Sequence, residues 1–318
     1  MNGNSSKSEM QAAYWMATPW LIGFTVLTVY PFLASLYWSF CRYDMLSAPK
    51  WVGLANYRRI STELFSGGTL AQAIFNTTYF AILSVSLSVV LGVLLAVMLS
   101  WEVRGRAVFR TICYLPSVVP IVAACVLWIV LLDPQQGMIN EILLKLGIPA
   151  QGWFKSTSSA FWPPAWPEDH AGRIVGSKDG LVLMGVWGVG NLLVIYLAAI
   201  ADIPPQLYEA AELDGAGRWR QFWHVTLPML TPVIFFNVVV GLIHSVQAFT
   251  QIYIVSDGQG DPAGATLTLS LHLFLAAFKE LDLGYASAVA WMLFVIILLI
   301  TIWLFRTSHR WVHHQGGA

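Results

Sequence analysis

Two short sets of residues interrupt stretches that are otherwise apolar. The first is Met184, Trp187, Gly188 and Asn191. The second is Gly241, His244, Ser245 and Ala248, with Gln247 and Gln251 beside it. Each set recurs at helical spacing, so each would lie on one face of a helix. Together they offer an amide, a hydroxyl, an imidazole and an indole. That mixture suits a sugar: dipoles exchange hydrogen bonds with its hydroxyls, and an aromatic face covers its C–H side. Polar groups inside apolar spans are costly and often functional. The plainer alternative for Asn191 and Gln247 is that they join one helix to another, and the residues alone leave both readings open.

Catalysis has no comparable signal. The chain contains no Walker A pattern, no H-E-x-x-H and no G-x-S-x-G. Glu209 and Asp214 are close in sequence, but an amphipathic loop helix is a poor place for paired acid–base chemistry. Cys41, Cys113 and Cys125 show no metal-ligand spacing and read as small buried thiols. The chain is read as non-catalytic, with no metal and no cofactor of its own.

The elements that must position these stripes are membrane spans. Of 318 residues, 57% are apolar and 11% charged, whereas soluble domains carry about 25% charged residues. This excludes an ordinary cytosolic enzyme. Lys+Arg and Asp+Glu are 17 each, so no global basic field exists for nucleic acid. Fifteen Trp and eleven Tyr fit helices that cross two membrane interfaces.

A crossing needs about 20 apolar residues. Six stretches qualify: 15–40, 74–99, 111–132, 181–201, 229–255 and 286–305. A seventh, 266–278, is short enough to be an interfacial or re-entrant helix. Pro19, Pro31, Pro116 and Pro120 inside the first and third spans are tolerable where neighbouring helices satisfy the freed carbonyls. The expected organisation is an all-α polytopic membrane protein. It has a tail at 1–13, a six-span domain at 14–306 and a tail at 307–318, with an outer loop at 133–180 and an inner loop at 202–228. Six crossings put both termini on one side. Cytoplasmic termini place Lys7, Arg104, Arg106, Arg110, Arg218, Arg220, Arg306 and Arg310 inside, and the cluster 104–110 beside a span end favours that orientation. The outer loop holds Trp153, Phe161, Trp162, Pro163, Pro164, Trp166 and Pro167. It is either a docking surface for an external partner or a loop folded onto the spans.

The inner loop carries the most specific pattern. Pro204 and Pro205 suit a helix start. Leu207, Ala210, Ala211 and Leu213 recur at helical spacing, while Glu209, Glu212 and Asp214 occupy other faces. Gly215 can end the helix in the left-handed conformation. A second short helix is expected over 218–225, before Pro228 opens the fifth span. The first helix would lie along the membrane, its paired alanines shallow enough to seat in a partner's groove.

Glu209-Ala210-Ala211, three residues, Gly215, nine residues, Val225, one residue and Leu227-Pro228 closely resemble the EAA loop of ABC importer permeases, with Val in place of the family's Ile. Other stretches are similar to the carbohydrate branch, the permeases like the larger maltose-permease subunit. They are Tyr30-Pro31, Ser35 and Phe40, the run from Trp51 to Tyr57, Asn76-Thr77, Phe109-Arg110, Leu115-Pro116, Pro120, Trp128, Gly137 and Ile139-Asn140. The loop from Asp257 to Pro262 departs from the branch's G-G-P, and about 155–180 is longer than usual.

The resemblance implies an ABC importer type I transmembrane domain in a bacterial or archaeal cytoplasmic membrane. It implies a second homologous permease, two cytoplasmic ATPase subunits that hold ATP and Mg, and an extracytoplasmic solute-binding protein. It assigns ATPase coupling to Glu209, Ala210, Ala211, Asp214 and Gly215. It places the sugar pathway at Met184, Trp187, Gly188, Asn191, Gly241, His244, Ser245 and Ala248. Besides these partners the chain would touch a sugar-like substrate and membrane lipid, and no nucleic acid. The rival is an ATPase-independent secondary transporter or channel for a small polar solute. Such a protein needs an ion-coupling group inside the membrane, and the six spans hold no Asp, Glu, Lys or Arg. A membrane scaffold would have no use for the polar stripes.

Overall fold

A computed structural model describes residues 3–101, 105–157, 159–160 and 175–312. Arg104, Phe161, Trp162, Pro163, Pro164, Trp166 and Pro167 lie outside the described residues, as does the side chain of Lys7. Among the described residues the helices are α1 (Gly3–Phe24), α2 (Tyr30–Ser39), α3 (Ala55–Phe65), α4 (Thr69–Ser100), α5 (Arg106–Val118), α6 (Ile121–Leu131), α7 (Met138–Lys145), α8 (Ser177–Trp187), α9 (Gly190–Ala201), α10 (Pro205–Leu213), α11 (Arg218–Gln221), α12 (Leu227–Val246), α13 (Thr250–Val255), α14 (Leu269–Phe274) and α15 (Leu283–Ser308). A two-stranded antiparallel ribbon pairs β1 (Cys41–Arg42) with β2 (Lys50–Trp51). The chain divides into two compact units, 1–62 with 273–294, and 63–272 with 295–318.

In the first unit, α1 and α2 join through a π-helical turn, Thr25–Val29. Pro31 lacks the N–H that would bond to residue 27, and an inserted residue opens the ladder there. The result is one apolar helix, Ala13–Ser39. Trp291 donates its indole N–H to Ser35 Oγ at 3.2 Å. Arg59 lies 2.9 Å from Asp282, its guanidinium 4.0 Å above the Tyr285 ring.

In the second unit, α4 is the spine and packs against α8, α9 and α12. Val93, Ala96, Leu193, Tyr196, Phe222 and Leu230 form its buried core. Small residues set the approach of the helices. A Cβ on Gly92 would come within 3.0 Å of the Tyr196 ring, and one on Gly190 within 2.7 Å of the Cys113 carbonyl oxygen of α5. Near the start of α4, Asn76 donates to the carbonyls of Gly264 at 2.8 Å and Leu267 at 2.9 Å. The amide of Leu269 donates to Thr77 Oγ1 at 2.9 Å, which pins the segment leading into α14.

Four helices are long and apolar enough to cross a membrane singly: Ala13–Ser39, Thr69–Ser100, Arg218–Val246 and Leu283–Ser308. The remaining two expected spans are bent pairs. α5 and α6 meet at 100°, and α8 and α9 at 45°. Pro116 and Pro120 thus do more than sit in a straight third span: Val119 between them is extended, with ψ 127°. The fifth span also differs from the expected 229–255. Its helix stops at Val246, and α13 follows after a three-residue break. The expected separate helix over 218–225 is instead the base of the fifth span, because α11, a π-helical turn (Phe222–Thr226) and α12 run on as one helix. Residues 3–13, read as a tail, are helical. The short seventh segment is a helix, Leu269–Lys279.

Gly190→Ala should drive α5 and α9 apart and destabilise the protein by about 1–3 kcal/mol. Gly23→Ala, which meets nothing within 4 Å, should not. Thermal unfolding of the two variants in detergent micelles checks this; equal midpoints would remove the close-packing account.

Candidate functional site

Two adjoining cavities lie among α4, α5, α6, α8, α9, α12 and α13. The larger is about 500 Å³ and the smaller about 190 Å³. They share Phe80, Gly185, Gly188, Asn191 and Gln251. Asn191, Gly241, His244 and Ser245 line the larger cavity. Met184 and Trp187 line the smaller one, and Gly188 and Asn191 reach both. Ala248 lines neither; it is buried in the break after α12. The first stripe is not one continuous helical face, because the bend at Gly188–Val189 falls inside it. The bend turns Trp187 toward Trp128, the two rings meeting edge to face at 5.8 Å.

Several lining residues escaped the reading of the stripes. Ser84 and Ser88 of α4 border the larger cavity, as does Asn237 of α12. Among the described residues, Ser84 Oγ is buried and has no hydrogen-bond partner. Asn237 donates to its own helix at Val233 O, 2.9 Å away. A signal existed for the serines, which stand four residues apart in an apolar run, one turn of helix. Among the described residues, His244 is the one titratable side chain lining either cavity. A weakly charged, mixed polar–apolar lining suits a solute that makes hydrogen bonds.

The second element is α10. Pro205 occupies its first turn, where a missing N–H costs nothing. Gly215 adopts φ +73°. Its amide bonds to Glu212 O and that of Ala216 to Ala211 O, each at 2.9 Å, the paired bonds of a Schellman termination. Glu209, Ala210, Asp214 and Gly215 are exposed and Ala211 is half-buried. Leu213 is 90% exposed. Tyr208 OH lies 3.0 Å from Thr226 Oγ1, which ties α10 to the base of the fifth span.

The described part of the segment 133–180 folds onto the chain. Asn140 Oδ1 accepts the Trp153 indole N–H at 2.8 Å and the Gln151 amide at 3.0 Å. Asp133 Oδ1 accepts the amides of Gln136 and Gln135, and these bonds hold its carboxyl below the usual carboxylate range. Phe154 packs against Gly180. Trp153 is therefore a packing residue.

The fold and these sites define an α-helical membrane permease. The chain belongs to the family of binding-protein-dependent transport system inner membrane components, which residues 88–313 match. The probable ABC transporter permease protein YesP of Bacillus subtilis (strain 168) is 38% identical over 315 residues, covering 98% of this chain and 95% of that protein. The trehalose/maltose transport system permease protein MalF of Thermococcus litoralis is 30% identical over 297 residues, 92% of each. A crystal structure of a bacterial alginate ABC transporter, in complex with alginate pentasaccharide-bound periplasmic protein, contains a chain of the same fold. The TM-score is 0.77 at 24% identity, over 96% of both chains. The protein is thus an inner-membrane permease of the ABC type.

The left-handed cap gives a direct expectation. Gly215→Val should loosen the end of α10 by about 1–2 kcal/mol, the cost of the left-handed region for a residue with a Cβ. Faster amide exchange across 205–216 is the readout. Gly215→Asn should stay close to the native rate, and equal exchange in all three would remove the cap from the account.

Proposed function

We propose that this chain is the permease subunit of an ATP-driven importer that moves a sugar or sugar derivative delivered by an extracytoplasmic solute-binding protein. The observation that carries the reading is the joint one. A cavity lined by Asn191, His244, Ser245 and Ser84 is joined by a single helix, Arg218–Val246, to an exposed loop helix that presents Glu209, Ala210, Ala211, Asp214 and Gly215. The trehalose/maltose permease among the relatives supports the substrate class.

In this reading α10 seats in one of two cytoplasmic ATPase subunits, and both termini of the chain are cytoplasmic. ATP and Mg are held by those subunits, and this chain supplies no catalytic group, metal or cofactor. A second, similar permease completes the pathway. Closure of the ATPases moves α10, and the Tyr208–Thr226 contact passes the movement to the base of the fifth span. The spans then open the cavity outward to receive the solute.

Two expectations test this. Glu209→Lys should leave the protein in the membrane but release the ATPase during purification and abolish saccharide uptake, read with radiolabelled neutral and uronate-bearing sugars side by side. Full uptake with the ATPase retained would remove the coupling role. Asn191→Ala and His244→Ala should each weaken transport affinity roughly tenfold to hundredfold, the loss of one hydrogen bond that the site was built to make. Expression and ATPase assembly should be unchanged; an unaltered transport KM in both variants would move the solute elsewhere.

A further inference from the structure

A third cavity, about 170 Å³, lies at the opposite end of these spans from α10. Gln72, Phe75 and Asn76 of α4 line it with Thr157 and Lys178. Lys178 stands in the first turn of α8 and is only 9% exposed. An ammonium has three N–H donors. Among the described residues, the one acceptor for them is Asn76 Oδ1, at the long distance of 3.5 Å. The rings of Phe75 and Tyr79 lie 5.3 and 5.6 Å from Nζ, a favourable but incomplete substitute for water.

The neighbouring carboxylate does not complete the site. Asp179 Oδ1 accepts the Tyr79 hydroxyl. Its Oδ2 accepts the amides of Gly176 at 3.0 Å and Ala160 at 2.9 Å. No carboxylate among the described residues pairs with Lys178. Asp179 acts on the buried ammonium through space and offsets its desolvation only in part, and the space beside it is a cavity.

We propose that this cavity binds the carboxylate of an acidic sugar, so that the solute carried is a uronate-bearing saccharide; this rests on the transport reading above. Three features select that ligand. The ammonium is a single positive charge with the Asp179 carboxylate nearby, so a carboxylate monoanion leaves less uncompensated negative charge than a phosphomonoester dianion would. Phe75 offers an apolar face to a sugar ring next to the charged group. The volume is below the roughly 300–1,000 Å³ of pockets that enclose a whole ligand, so the site holds one charged end. Lys178 is one helical turn from Leu181, which lines the smaller pathway cavity, and a bound saccharide would extend toward it.

The test uses the full-length chain in lipid nanodiscs and saturation-transfer NMR with D-galacturonate and D-glucuronate against their neutral methyl esters. This comparison needs neither ATPase nor binding protein, so its failure is distinct from a failure of uptake. At least one acid is expected to bind roughly tenfold to hundredfold more tightly than its ester, the worth of a charge-assisted hydrogen bond. Lys178→Met should erase the difference and Lys178→Arg should keep it. No binding by either acid, equal binding of acid and ester, or displacement of the acid by an equal concentration of inorganic phosphate would overturn the proposal. If Lys178→Met does not fold, the acid–ester comparison on the unaltered chain still decides.

Discussion

Backbone amides and carbonyls cannot be left unpaired in hydrocarbon, and this constraint organises the second unit. Irregular backbone is tolerated at membrane depth only where it is buried in protein or lines a cavity. Among the described residues three helices of the unit break, and each break borders one or both of the two cavities. Val119 lies between α5 and α6, Gly188 and Val189 between α8 and α9, and Ser245 and Gln251 flank the gap between α12 and α13. At each break the chain tightens rather than opening. Val119 bonds to Pro116 O, Val189 to Val186 O and Ala248 to Ser245 O, at 3.1 to 3.3 Å, the three-residue spacing of a 3₁₀ turn. The breaks set Trp187, Asn191 and Ser245 against the cavities.

α4 makes the broken helices into a scaffold. It is unbroken over 32 residues, and α8, α9 and α12 all pack on it. Glycines set how closely they do so, as at Gly92 against Tyr196. The helix from Arg218 to Val246 is likewise continuous, so its base beside α10 and its far end at His244 belong to one rigid element. Under the proposed function that continuity is the mechanical link between hydrolysis outside the membrane and a change at the cavity.

Much of this was legible in the sequence because lipid demands long apolar runs. The six stretches appear as four single helices and two bent pairs, and the spacing of Pro205, Ala210, Ala211 and Gly215 foretold α10 and its left-handed end. What was not legible has physical reasons. Hydropathy averages over a window, so it cannot see the break at Gln247–Phe249 inside an apolar run, and 229–255 read as one span. A helical periodicity assumes a straight helix, so it could not anticipate that the bend at Gly188–Val189 would divide the first stripe between two cavities, or that Ala248 would fall beyond a helix end. The serines of α4 stand one helical turn apart, but their role depends on which face α8 and α12 leave uncovered. Lys178 was invisible as a site because it stands just before the fourth apolar stretch, where a lysine ordinarily reaches water.

The central claim is that the cavity beside Ser245 changes its access when ATP acts at the far end of Arg218–Val246. In a chain whose three cysteines are replaced, Ser245→Cys in reconstituted transporter can be labelled with a membrane-impermeant maleimide from the extracytoplasmic side. The account expects slow labelling without nucleotide, and labelling at least several-fold faster when the ATPases are trapped closed with ATP and vanadate. Rates that are the same in both states would contradict it.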